Sequence, residues 1–137
     1  MAYTVRRIDY FYITVTETAG LGYEVLSGLA EQSVNLAAVT AVPAGPARTQ
    51  FTVFPEDTGK MKSAAQRANI PLEGPHPALL VRGDDEIGAL ARIHEKLLDA
   101  NVHVFASTGV ADGKGGYGYI IYVPPEEYER AAETLDV

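Results

Sequence analysis

The chain predicts an α+β protein made of two copies of one small unit with antiparallel sheets, and three observations lead there. Displacing the sequence by 68 positions, the separation of Gly20 from Gly88, lays one half on the other: Val25 falls on Ile93, Leu29 on Leu97, Val34 on Val102 and Leu36 on Val104. A period this long, repeated twice, is too few and too long for a solenoid. Within each half the hydrophobic period changes from two to 3.6 and back in the same order. Glycine and proline punctuate both halves at matching places, with a one-residue slip in a turn, where insertions cost little. At 137 residues the chain is long enough for one ordinary domain or two very small ones sharing a core.

The elements follow in order. Phe11, Ile13 and Val15 alternate with Tyr10, Tyr12 and Thr14, which is a strand pattern, and residues 78–81 are its shorter apolar counterpart. Leu21, Val25 and Leu29, and then Leu90, Ile93 and Leu97, recur at helical spacing behind an acid that can cap the helix and a glycine at its entry. Residues 34–42 and 102–110 are β-branched second strands. The Pro43-Ala44-Gly45-Pro46 and Asp112-Gly113-Lys114-Gly115-Gly116 turns fold them back onto 50–54 and 117–123 as hairpins. Residues 60–68 and 126–135 are second, surface-lying helices.

This order is β-α-β-β-α. A fourth strand around residues 70–73 completes the first copy as a split βαβ, ferredoxin-like βαββαβ unit, which places the domains at 1–72 and 73–137. The second copy has no chain left for its fourth strand, whereas residues 3–15 are about twice the usual strand length. The N-terminal segment 3–7 is therefore expected to bend away and supply the edge strand of the second copy.

Composition narrows the function. The chain has 47% apolar and 21% charged residues, no apolar run near the roughly 18 residues of a membrane span, and no apolar signal core in its first ten residues, so a cytoplasmic protein is expected. Without cysteine there is no disulfide, zinc ribbon, iron–sulfur cluster or thiol chemistry. Eleven basic against eighteen acidic residues give a net charge of −7 with no basic stripe, which argues against nucleic acid as a partner.

The repeated motif is Glu17-Thr18-Ala19-Gly20 in one copy and Asp85-Glu86-Ile87-Gly88 in the other. Each is followed by an apolar helix and, 15 positions after the glycine, by a polar residue in an apolar run, Asn35 or His103. Together these features resemble the ACT domain, and they span nearly the whole chain, as a tandem ACT-domain protein with no attached enzyme. The family's usual turn reads Asp-x-Pro-Gly with Asn in the strand. Here Glu17 replaces Asp and Ala19 replaces Pro in the first copy, and Ile87 replaces Pro and His103 replaces Asn in the second. The resemblance implies paired domains, a homodimer, and an amino acid effector at a domain or subunit interface against the strand-to-helix turn. No cofactor and no metal are expected. The ligand-binding residues it points to are Glu17, Thr18, Ala19, Gly20, Leu21 and Asn35 in the first copy, and Asp85, Glu86, Ile87, Gly88, Ala89 and His103 in the second. The chemistry is suitable on its own terms. Glycine lets a backbone approach a ligand, helix N–H groups take a carboxylate, and Asn35 or His103 offers both donor and acceptor. Glu17 and Asp85 can hold an ammonium group or simply complement the helix dipole.

The remaining signals are structural. His94 shares a helix face with Leu90, Leu97 and Leu98, which suits packing or an interface. His76 lies in Gly74-Pro75-His76-Pro77, read as a rigid turn, and the three histidines have no metal-ligand spacing. The Gly-rich stretch 113–118 lacks the Gly-Lys-Ser/Thr of a phosphate loop and reads as a hairpin turn able to close over a ligand. Tyr10 and Tyr12 fall on the sheet face opposite the helices, which another sheet or subunit would cover. No nucleophile, base and orienting group converge, so no catalytic residue is assigned. The sequence thus supports an amino-acid-binding regulatory protein with an enzyme as a candidate partner, or alternatively an interaction and dimerisation module whose effector site is vestigial.

Overall fold

The computed structural model describes residues 3–16 and 20–137, with an α+β fold of antiparallel strands and helices as the periodicity predicts. The turn residues Glu17, Thr18 and Ala19 lie outside the described residues. The chain divides into two compact units, one of residues 9–76 and one in which residues 77–137 are joined by the N-terminal residues through Ile8. Among the described residues no helix is long and apolar enough to cross a membrane.

In the unit of residues 9–76 the elements are the second part of β1 (Tyr3–Thr16), α1 (Leu21–Glu31), β2 (Leu36–Pro43), β3 (Arg48–Pro55), α2 (Thr58–Ala68) and the first residues of β4 (Glu73–Asp84). The strand order is β2-β3-β1-β4, with Phe11 opposite Val53 and Ile13 opposite Phe51. Alternation then turns Phe11, Ile13, Phe51 and Val53 onto Val25, Leu29, Met61 and Ala64 of the helices, forming one core. Gly20 opens α1 in the left-handed conformation, φ 87°, without a side-chain cap. By contrast, Asp57 caps α2 by accepting the Lys60 N–H at 3.0 Å. Tyr10 is only 7% exposed, with Phe54 and His76 rings 5.4 and 5.2 Å from its own.

Residues 73–77 correct the sequence reading. Gly74-Pro75-His76-Pro77 is part of β4, not a turn, and the fourth strand expected at 70–73 begins at Glu73. Proline is tolerated there because β6 pairs with β4 over Leu79–Asp84, beyond these residues, so only one side of this end of the strand must supply N–H groups.

In the other unit the strand order is β5 (Ala106–Ala111), β6 (Gly116–Tyr122), β4, β1, and α3 (Ala89–Asp99) and α4 (Tyr128–Thr134) supply the helices. Residues 126–127 belong to a 3₁₀ turn, Pro125–Glu127, so the second surface helix starts later than expected. Leu79, Val81, Ile93, Leu97, Ile121 and Ala131 form the centre of the core, and Tyr3 and Val5 pack against it.

The N-terminal segment thus serves the C-terminal unit, as its surplus length suggests. The expected bend is absent, since β1 runs unbroken over 14 residues. Its side chains fasten it. Arg7 makes a bidentate pair with Glu129 at 2.7 and 3.0 Å, reaches the Val137 carbonyl at 3.3 Å, and lies 5.5 Å over the Tyr128 ring. Lys96 donates to the Tyr3 hydroxyl at 2.9 Å, and Tyr128 donates to the Ala78 carbonyl at 3.1 Å.

Deleting residues 1–7 should therefore expose the edge of β4 and remove the partner of α4. Amide hydrogen exchange should then lose protection in residues 77–84 and 128–134 before β2 and β3. Equal loss in both units would refute the assignment of this strand.

Candidate functional site

The strand-to-helix turn of residues 85–89 forms one wall of a cleft of about 570 Å³ in the C-terminal unit. β4 ends at Asp84, and the Asp85 N–H donates to the Gly115 carbonyl at 2.9 Å, which ties the turn to the Gly-rich hairpin loop. That loop is itself pinned by Asp112, which accepts the Lys114 and Gly116 N–H groups at 2.6 and 3.0 Å. These two bonds hold the Asp112 carboxyl below the ordinary aspartate range.

Gly88 then turns the chain into α3 with φ 84° and ψ 3°, a left-handed geometry that disfavours a side chain. The sequence reading expects Asp85 or its neighbour to cap α3, but no side chain does so. The Ala89 N–H goes back to the Glu86 carbonyl at 3.1 Å, and the Arg92 N–H opens the helical ladder on Gly88. Leu90 and Ala91 lie between, where an N–H has no i−4 carbonyl within the helix, and both line the cleft. The cleft mouth thus combines the positive end of a helix dipole with two carboxylates, Asp85 and Glu86. Glu86 is 3.7 Å from Arg92.

The opposite wall comes from the β5–β6 hairpin through Gly109, Val110, Ala111, Tyr117, Gly118 and Tyr119. Gly109 sits directly opposite Tyr119 in the ladder, and a Cβ there would stand 2.7 Å from the tyrosine Cδ1. Burial pushes the Tyr117 hydroxyl above its usual range, with the nearby Tyr3 adding to the effect. Tyr117 and Gly118 belong to the stretch that the sequence reads as able to close over a ligand, whereas Gly109, Val110, Ala111 and Tyr119 carry no such reading. A glycine within a β-branched run is the signal that could have drawn attention to position 109.

Of the residues named from the second motif, the structure brings Asp85, Glu86, Gly88 and Ala89 together at this cleft. Ile87 is in the same turn but points fully into solvent, at 100% exposure. His103 is elsewhere, in the connection before β5 rather than inside a strand, with its side chain 72% exposed. Glu127 holds it there by accepting its backbone N–H at 2.7 Å and lying 3.1 Å from its Nδ1. His103 lines a separate cleft of about 590 Å³ with His94, Leu97, Leu98 and Val104.

In the other unit Gly20 and Leu21 open α1, and Asn35 is exposed one residue before β2, its carbonyl taking the Glu56 N–H at 2.9 Å. Leu21 lines a cleft of about 590 Å³ with Glu24, Glu31, Arg67 and Ile70, whereas Asn35 does not line it. Both polar positions therefore fall just outside the strands to which the sequence pattern assigns them.

No protein-family model matches the chain, and no curated protein matches it in sequence. Solved structures share its fold. Protein BT0572 from Bacteroides thetaiotaomicron superposes with a TM-score of 0.78 at 19% identity, over 97% of this chain and 88% of that one. The regulatory subunit of aspartate kinase from Thermus thermophilus, in its ligand-free form, gives 0.64 at 16% identity over 97% and 93%. That from Thermus flavus gives 0.60 at 14% over 98% and 93%. The α+β, ferredoxin-like fold predicted from the sequence is thus that of these regulatory subunits, an ACT-type fold.

The His103 contact has a pH signature. The backbone N–H of His103 is the main cause that holds the Glu127 carboxyl below its usual range, followed by the imidazole and Arg130. A depressed carboxyl stabilises the fold above its unfolded pKa of about 4.3, and that contribution disappears as pH falls through the lower folded value. Glu127→Gln should flatten this part of the acid limb in urea unfolding across pH 2–6, with the largest difference from the parent at the upper end. An unchanged acid limb would show that the contact is not made in solution.

Proposed function

We propose that the protein is a non-catalytic regulatory protein that binds a free amino acid at the turn of residues 85–89. The observation that carries this reading is the cleft at the uncapped start of α3, where N–H groups, two carboxylates and an apolar wall lie around one space of about 570 Å³. An α-carboxylate suits the Leu90 and Ala91 N–H groups, and an α-ammonium suits Asp85 and Glu86. The same acids repel a dianion, so a phosphorylated ligand is disfavoured.

Three supports stand beside it. The fold is shared with proteins described as regulatory subunits of aspartate kinase. The sequence carries the acid-x-x-Gly turn twice, and this reading takes the chain as two ACT-like repeats, 1–72 and 73–137. Gly20 enters α1 with the same left-handed geometry as Gly88 enters α3, so Gly20 and Leu21 mark the counterpart position in the first repeat. In this reading the protein works as a homodimer and associates with an enzyme whose activity it adjusts. To regulate, the effector must bind the two arrangements of that assembly with different affinity.

A thermal-shift screen of the full chain against the twenty amino acids tests the reading. A ligand at 100 times its dissociation constant adds about 2.7 kcal/mol of stability. Asp85→Asn combined with Glu86→Gln should weaken the best ligand at least tenfold, about 1.4 kcal/mol. Gly88→Ala should cost about 1–2 kcal/mol of stability through its left-handed φ and weaken the ligand as well. A flat screen at millimolar concentrations would reject effector binding and favour the interaction-module reading.

A further inference from the structure

We propose that the cleft beside α1, in the unit of residues 9–76, binds a primary alkylammonium ion, a ligand class distinct from the effector at residues 85–89, and that Gly28 keeps this site open. The duplication carries the argument. Displacing α1 by 68 positions lays Leu21, Glu24, Val25 and Gly28 on Ala89, Arg92, Ile93 and Lys96 of α3. All four residues of each set line a cleft on the same face of their helix, of about 590 Å³ beside α1 and about 200 Å³ beside α3.

Two side chains make the difference. In the C-terminal unit the Lys96 ammonium donates to the Tyr3 hydroxyl at 2.9 Å and lies 5.4 Å from the centre of that ring. The chain thus places an alkylammonium group of its own in the smaller cleft. In the other unit the position is Gly28, where a Cβ would meet Ile70 Cδ1 at 3.8 Å, an ordinary contact. Glycine is unfavourable inside a helix, and the space here admits a side chain, so packing does not account for it. Its effect is to leave open the space beside Ile13, Val25 and Ile70. Charge is reversed as well. Among the described residues the α1 cleft carries Glu24 and Glu31 against Arg67, whose Nε donates to Gln32 Oε1 at 2.8 Å, whereas the α3 cleft carries Arg92 and Lys96 against Asp84. An aliphatic chain ending in an ammonium group supplies what the α1 cleft lacks, carbon for its floor and a cation for its acidic rim. A carboxylate meets like charge there, and an alcohol of the same length forgoes the charge pairing.

The probe is n-butylamine, which is the lysine side chain without its backbone and is protonated at neutral pH. Titration calorimetry of the full chain should show it binding about tenfold more tightly than butyrate or n-butanol. Gly28→Lys rebuilds the arrangement of the C-terminal unit and should abolish binding, with the fold checked by circular dichroism. Gly28→Ala raises helix propensity yet leaves most of the space, and should retain it. Glu24→Gln, at an exposed position, should weaken n-butylamine about threefold and leave n-butanol unchanged. A flat titration with n-butylamine at millimolar concentrations, or equal binding of butyrate, overturns the proposal. Undiminished binding in Gly28→Lys overturns it too, by placing the amine elsewhere, for example at the acids of residues 85–86.

Discussion

The unit of residues 77–137 depends on a strand from the far end of the chain. Three of its strands are its own, and the fourth position beside β4 is filled by the first residues of β1. The constraint is one of backbone pairing: an unpaired edge beside β4 would leave a row of N–H and C=O groups open to any passing strand. The side chains follow from it. Arg7 is placed within reach of Glu129, Tyr128 and the Val137 carbonyl, and Tyr3 is placed against Lys96 on α3, so both helices of the unit are secured to the borrowed strand. The Arg7–Glu129 pair is exposed, so its worth lies in orientation more than in energy.

That fixed unit carries the candidate site. α3 is anchored by Ile93 and Leu97 in the core, and Arg130 closes its far end through the Ala100 and Asn101 carbonyls at 3.0 and 2.8 Å. Its near end is thereby presented beside the hairpin at a fixed distance. The hairpin loop is held in turn by Asp112 and by the Asp85 N–H bond to Gly115. The turn and the loop are thus two sides of one hydrogen-bonded rim beside the cleft.

Most of the architecture is legible in the sequence because it rests on period and punctuation. Phe11, Ile13 and Val15 alternate, Leu90, Ile93 and Leu97 recur every three or four residues, and the Pro43 and Asp112 turns mark hairpins, all of which local sterics enforce. What is not legible depends on partners distant in sequence. The prolines at 75 and 77 read as a turn until the strand beside them is known, and β1 reads as two strands because nothing local requires it to continue through Ile8 and Asp9. The site divides in the same way. Asp85, Glu86, Gly88 and Ala89 are contiguous and come together, but His103 is drawn away by Glu127, 24 residues on. The Gly109–Tyr119 contact belongs to a ladder register that spacing alone does not fix.

The divided β1 strand also sets an order of events during synthesis. Residues 9–76 hold all the elements of their unit, and that unit can close once residue 76 has left the ribosome. Residues 3–8 are made earlier still, yet they have no partner until β4 is extended and no anchor until α4 exists; Arg7 and Glu129 are 122 positions apart. Closing so long a loop costs entropy that only late contacts repay. The segment 3–8 is therefore paired only after β4 is made and fastened only after α4 is made, later than the elements of residues 9–76.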